Sequence, residues 1–208
     1  MNKLQIWGRM SSINVKKVVW TAREVGLDFE RHEAGGVYGV VKTTAYVALN
    51  PNSQIPVLQD GDYVLWESNV ITRYLSAKHS LGHLYPDNLQ ERFDAERWME
   101  WQQTSVNPAS RNGFWHLIRL PVDERDPALV VQSNAAVELL MATLDDHLAT
   151  RRFMVGERFS MADIPLGCEV QRWFGLPQSR AARPHMERWF ATLLARPAAK
   201  GVLDMALV

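Results

Sequence analysis

The stretch Asn50-Pro51-Asn52-Ser53-Gln54-Ile55-Pro56-Val57-Leu58-Gln59-Asp60-Gly61-Asp62-Tyr63-Val64-Leu65 carries the reading of the fold. Ile55, Val57 and Leu58 form an apolar run, Asp60-Gly61-Asp62 supplies a turn, and Tyr63, Val64 and Leu65 return, which predicts a β-hairpin. Pro56 stands at the start of the first strand. There its missing N–H costs no ladder bond, and a cis peptide would leave the preceding backbone groups free. Free backbone at a strand edge can pair with an extended, peptide-like ligand.

Outward from the hairpin, short strands and helices alternate. Leu4, Ile6 and Trp7 predict a strand ending at Gly8. Val15, Val18, Val19, Ala22 and Val25 recur at helical spacing from about Ile13 and stop at Gly26, a residue suited to a left-handed C-cap. A second strand is expected near 28–32, a glycine-rich loop over 34–41, and a short helix over 43–49 that ends before Asn50-Pro51. Downstream, Val70, Ile71, Tyr74 and Leu75 mark one face of a helix from Glu67 to about Lys78. Residues 80–89, SLGHLYPDNL, have the composition of a linker, placed at 81–88. Beyond it the patterns are helical: Val137, Leu140, Met141, Leu144 and Leu148 on one helix, Met186, Trp189, Phe190 and Leu193 on another. The chain therefore reads as an α/β domain over 1–80 and an all-α domain over 89–208.

Composition excludes several classes. The 208 residues carry 23 basic and 23 acidic side chains, so no charge surplus exists to hold a nucleic-acid backbone, and the pairs Lys16-Lys17 and Arg151-Arg152 are too short to replace one. No apolar run of signal-peptide length opens the chain and none approaches a membrane span, so a cytoplasmic protein without membrane or nucleic-acid partners is expected. The single cysteine, Cys168, permits no internal disulfide, redox cysteine pair or cysteine-based zinc site, and any thiol chemistry must use a borrowed thiol. Five of the eight tryptophans lie beyond the linker, which points to thick helix packing or an aromatic ligand pocket. The glycines at 35, 36 and 39 do not form a phosphate loop, because Val41 rather than glycine precedes Lys42. His79 and His83 read as solvated linker histidines, not metal ligands, and Asp145-Asp146-His147 as a charged solvent face.

The chemistry concentrates at helix starts. Ser11, Ser12 and Asn14 lie between the end of the first strand and the first turn of the first helix. N-capping explains one serine. The same position also stabilises an anion such as a thiolate, lowering a thiol pKa from about 8.5 and raising its nucleophilic fraction at neutral pH. Glu67 and Ser68 place a carboxylate and a hydroxyl at another helix start, suited to a ligand bearing an ammonium and a carboxylate.

At these residues the sequence resembles the glutathione transferase family over essentially its whole length. The pattern NPxxxIPVL…D…LWES…I..YL runs through Asn50 to Leu58, Asp60, Leu65 to Ser68, Ile71, Tyr74 and Leu75, and is specific to the family's thioredoxin-like N-terminal domain. Phe159-Ser160-Met161-Ala162-Asp163-Ile164 looks like the capping-box helix start of its C-terminal domain, in which Ser160 and Asp163 cap each other. The resemblance implies a homodimeric enzyme that conjugates glutathione, as co-substrate and without metal, to a small hydrophobic electrophile. By position, Ser12 matches the sulfur-binding serine of theta-, delta- and zeta-like members, with Ser11 the alternative and Asn14 a further donor. The Ile55 backbone before a cis Pro56 would pair with the cysteinyl part, Glu67 and Ser68 would hold the γ-glutamyl end, and Gln54 and Lys42 would approach the glycyl carboxylate. Met10, Phe114, Trp115 and Ile118 would line the second-substrate pocket with Arg111 or Arg119 orienting a polar group, and helix-packing roles are equally open for each. No cysteine faces the sulfur position, which argues against disulfide exchange. The zeta-like SSCSWR signature is half present, with Ile13, Asn14 and Val15 replacing its centre, which weakens an isomerase assignment. A glutathione-dependent peroxidase or isomerase and a non-catalytic binding or assembly protein of the same fold are the alternatives. Cys168 falls within the capped helix and is expected in the core.

Overall fold

The computed structural model describes residues 3–208, and the chain forms two compact units, Met1–Tyr85 and Pro86–Val208. In the first, strands run in the order β2-β1-β3-β4. β1 (Leu4–Trp7) pairs parallel with β2 (Phe29–His32) and antiparallel with β3 (Val57–Asp60), which pairs antiparallel with β4 (Tyr63–Trp66). Ile55 lies outside the hairpin's first strand, which begins only after Pro56.

The parallel β1/β2 pair needs a crossover, and α1 (Ile13–Glu24) supplies it. α1 closes with a Schellman motif at Gly26 (φ +67°): the Gly26 N–H donates to Arg23 O at 3.1 Å and the Leu27 N–H to Ala22 O at 2.9 Å. α1 packs on α3 (Ser68–His79), with Thr21 Oγ1 donating to Thr72 Oγ1 at 3.3 Å. Lys16 and Lys17 are buried, so this pair contributes no surface charge patch. Alternation along β1 divides the core. Ile6 and its cross-strand neighbour Leu58 are fully buried, while Trp7 and Val57 pack with Ala34 and with Tyr46 of α2 (Thr44–Leu49).

The segment read as a linker is folded. Leu81 pairs with Tyr85, the Gly82 N–H donates to Tyr85 O at 2.8 Å, and Leu84 is buried. Residues 80–85 form a tight turn around Gly82 within the first unit and Pro86 opens the second, so the boundary between the units falls inside the span read as a linker.

The second unit opens with a helical stretch over 89–119 made of α4 (Leu89–Trp101), a widened turn (Gln102–Val106), α5 (Asn107–Phe114) and a second widened turn (Trp115–Arg119). Pro108 lacks an N–H, and its ring would crowd the carbonyl four residues earlier in an unbroken α-helix. The widened turn immediately before it accommodates that conflict without ending the helix. α6 (Pro127–Leu148) is long and apolar enough by length and composition to cross a membrane, contrary to the sequence expectation. Its Val137, Met141, Leu144 and Leu148 are nevertheless buried against protein, with α5 and α8 (Pro184–Leu194) packed on it. Each such side chain contributes roughly 1.5–3 kcal/mol of burial.

Asp163, first residue of α7 (Asp163–Gly175), has no solvent exposure. Its Oδ1 accepts from the Met154 N–H at 2.9 Å and Trp189 Nε1 at 2.8 Å, and its Oδ2 from the Ser160 N–H at 2.9 Å and Ser160 Oγ at 3.2 Å. Ser160 Oγ in turn accepts from the Ala162 N–H at 3.3 Å, one residue short of the position a capping box uses. The carboxylate thus ties a loop, α7 and α8 together. Cys168 is fully buried on the same helix.

Asp145 and His147 correct the reading of a solvent face. Asp145 is buried, and its Oδ1 accepts from the Met186 N–H at 2.7 Å, capping α8 from a neighbouring helix. His147 packs at a 48° tilt against Trp98 with ring centroids 4.3 Å apart, and its Nε2 bonds Met154 O at 2.9 Å. Burial holds its pKa below the usual histidine value.

Replacing Asp163 with Asn puts an NH₂ group against N–H donors whichever way the amide turns. Asp163→Asn is expected to cost about 3 kcal/mol, measured by denaturant unfolding followed through Trp189 fluorescence. Burial pushes the Asp163 carboxyl up from 3.8 to about 6, so its contribution to stability is full below pH 3.8 and declines as pH rises towards about 6. The Asn variant loses that slope.

Candidate functional site

The site begins at Gly8, where β1 meets α1. A Cβ on Gly8 would lie 2.4 Å from Val15 Cγ2 and 3.3 Å from Ile55 Cβ, so only glycine lets these three segments meet. The Gly8 N–H donates to His32 O and Arg31 Nη1 donates to Gly8 O, both at 2.8 Å, fixing the turn to β2. The Arg9 N–H then donates to Ala34 O at 3.1 Å, and the Ser12 N–H to Arg9 O at 3.1 Å.

Ser12 stands at the N-cap of α1, but its hydroxyl makes no cap hydrogen bond. This corrects the N-capping explanation for Ser12. The first bond into the helix is from the Lys16 N–H to Ser12 O at 3.0 Å, which leaves the preceding first-turn N–H groups without a side-chain acceptor. Ser11 is engaged within the protein. Asn14, at the second position of α1, has a buried Oδ1 with no partner among the described residues.

Across from this turn, Ile55-Pro56 is cis, and the Ile55 N–H and C=O make no hydrogen bond among the described residues. The loop before it is held by buried Asn50: Asn50 Nδ2 donates to Gln54 O at 2.9 Å, joined there by the Tyr46 hydroxyl at 2.8 Å. Burial pushes the Tyr46 phenol up to about 12, which secures it as a donor. The Gln54 side chain projects from an exposed residue, and Lys42 is exposed beyond the glycine-rich segment.

The third element is the start of α3. Glu67 adopts φ +73° at the N-cap and provides no side-chain cap, while Ser68 is buried. A non-glycine residue in the left-handed region marks a position where local strain is held by its surroundings. The contrast with the other helices is consistent. Thr43, Asn88 and Asp126 cap α2, α4 and α6, the Ser160–Asp163 pair serves α7, and Asp145 serves α8. α1 and α3 are left open, and open helix starts attract anions.

Of the residues assigned to a second-substrate pocket, Met10 lies in the Gly8–Ser12 turn of the first unit. Arg111, Phe114, Trp115, Ile118 and Arg119 follow one another along the helical stretch of the second. Phe114 is buried, with the guanidinium of Arg172 4.5 Å and that of Arg119 5.3 Å from its ring centroid. Arg172 is itself paired with buried Glu169 at 3.6 Å, whose oxygens accept from Gln102 Nε2 at 3.2 Å and Ser110 Oγ at 3.1 Å. Trp115 is exposed. The sequence reading gave no functional part to Gly8 and Arg9, whose only signal is a Gly-Arg pair separated from the two serines by Met10.

A sheet whose third strand begins after a cis-proline, with two open helix starts, followed in the chain by an all-helical unit, defines a two-domain class built on a thioredoxin-like sheet. Residues 2–77 match the glutathione S-transferase N-terminal domain and residues 99–197 its C-terminal domain. The chain is 36% identical to glutathione S-transferase GstB of Escherichia coli strain K12, covering 96% of this chain and 97% of that one. It is 35% identical to glutathione S-transferase 3 of Zea mays over 95% of this chain and 92% of that one. Its fold superposes with a TM-score of 0.96 on the theta class glutathione S-transferase of Xanthomonas axonopodis pv. citri with glutathione bound, at 42% identity and complete coverage of both chains. The chain belongs to the glutathione S-transferase family and is a glutathione transferase.

Gly8→Ala is expected to force Val15 and Ile55 apart. We expect a loss of about 2–3 kcal/mol in stability, read by thermal melting, and at least tenfold weaker glutathione binding, read by calorimetry.

Proposed function

We propose that this transferase joins the glutathione thiolate to small hydrophobic electrophiles, with Ser12 holding the sulfur. The observation that supports this reading best is the free Ser12 hydroxyl over an uncapped helix start. A hydroxyl not used as a cap is available to donate to a thiolate, and the α1 N–H groups add positive potential at the same place. Asn14 sits beside it with an unpartnered amide end, which presents a donor or an acceptor according to how the amide is turned.

The rest of glutathione then falls on groups the fold leaves open. The cysteinyl backbone pairs with the Ile55 N–H and C=O, and the γ-glutamyl carboxylate meets Ser68 and the open start of α3, with Glu67 taking the ammonium. Gln54 and Lys42 serve the glycyl carboxylate. Sulfur attacks the electrophilic carbon, a C–S bond forms as the leaving group departs with its electron pair, and the thiol proton goes to solvent. Met10, Arg111, Phe114, Trp115, Ile118 and Arg119 are proposed to shape the second-substrate pocket. Buried Phe114 fits the part of a rigid wall, exposed Trp115 that of a mobile one. The enzyme is proposed to act in the cytoplasm as a homodimer. Tyr63, Trp66 and Val70, which put exposed apolar surface on β4 and α3, support the dimer.

Removing the Ser12 hydroxyl takes away one hydrogen bond to a charged group, which is about 1.5–3 kcal/mol or one to two pKa units. In Ser12→Ala the bound thiol's pKa is expected to rise by that amount, moving the acidic limb of the kcat/KM profile to higher pH. Ultraviolet absorbance of bound thiolate measures it. Full activity with an unchanged thiol pKa would remove Ser12 from this role, and Ser11→Ala provides the comparison.

A further inference from the structure

Arg9 has no part in the assignments above, and its placement is specific. Its backbone is pinned on both sides, N–H to Ala34 O and C=O to the Ser12 N–H, each at 3.1 Å. Its guanidinium lies against the backbone of Gly35 and Gly36. A Cβ on Gly35 would stand 3.2 Å from Arg9 Nη1, and one on Gly36 3.1 Å from Arg9 Cζ and Nε. The same Gly35 Cβ would stand 3.0 Å from Ile55 Cδ1, so the guanidinium borders the cis-proline edge as well as the Ser12 turn. The glycines, at φ +77° and +59°, therefore leave room for the guanidinium next to the Ile55 segment, on a residue whose backbone belongs to the Ser12 turn.

That cation is uncompensated. Arg9's side chain makes no ion pair or hydrogen bond among the described residues, and Glu33, two residues before Gly35, is held by Arg31 at 2.5 Å. Glutathione brings two carboxylates, and both already have places: one at Ser68 and the start of α3, the other at Gln54 and Lys42. An arginine left over in the turn that carries Ser12 has donors in a planar fork matched to a carboxylate.

We propose that Arg9 recognises a carboxylate on the second substrate, which makes anionic electrophiles the favoured class. The proposal rests on the transferase reading above. The test uses a matched pair, a chloronitrobenzoate and the corresponding chloronitrobenzamide, which share ring and leaving group and differ in charge. In both, the glutathione thiolate forms the C–S bond and chloride leaves with the C–Cl electron pair. Relative to the uncatalysed reactions, the wild-type enzyme is expected to favour the benzoate. Arg9→Gln is expected to lower kcat/KM for the benzoate about ten- to hundredfold while changing the benzamide by about twofold or less. The KM for glutathione and the melting temperature should stay put, and Arg9→Lys should restore part of the preference.

Equal losses on both electrophiles overturn the proposal. A raised KM for glutathione with either electrophile overturns it too, and assigns Arg9 to the glycyl carboxylate. A wild-type enzyme that turns over the benzamide without favouring the benzoate overturns the anionic class and leaves the transferase reading standing. Turnover of neither removes both.

Discussion

The approach of Val15 and Ile55 to the bare backbone of Gly8 is the constraint on which the α/β unit depends. It sets the start of α1 against the cis-proline edge and, through the bonds from Gly8 to His32 and from Arg31, locks both to the parallel β1/β2 pair. A side chain here would push the helix start away from the Ile55-Pro56 segment, and the groups proposed to bind one thiol peptide would no longer share a position. The turn that follows repeats the logic at Arg9, Gly35 and Gly36, where absent side chains again make room for a functional group.

Helix capping divides along the same line. The protein satisfies most helix starts with its own side chains, and in the second unit it does so with buried carboxylates reaching across elements: Asp163 to four donors and Asp145 to the start of α8. Leaving a start uncapped costs about 0.5–2 kcal/mol. α1 and α3 carry that cost in the free protein, and an anionic ligand that binds only the folded state offsets it. The polar interior of the helical unit is thus structural, while the open polar groups of the α/β unit are kept for chemistry.

Much of this was legible in the sequence because it is local. The 50–68 stretch announces a hairpin, a proline at a strand start and an acidic residue before a helix. Gly26 announces a helix end, and Thr43, Asn88 and Asp126 are ordinary caps. The misreadings share a cause. Whether Asp145 faces solvent or the start of α8, and whether His147 faces solvent or Trp98, is settled by partners far away in sequence. Periodicity also hides the widened turns at 102–106 and 115–119, because they keep helical dihedrals while shifting which side chains share a face.

By itself the sequence determined the two-part α/β and all-α order, the proline at a strand start, and, from its single cysteine, that any thiol chemistry must use a borrowed thiol. Those properties depend on residue type and short spacing. The tertiary structure alone decided which serine is left uncapped, that Gly8 brings α1 and Ile55 together, and that Arg9 lies over two glycines with no carboxylate to neutralise it. The last two are meetings of segments separated by tens of residues, and a linear pattern carries no information about which groups will face one another across such a distance.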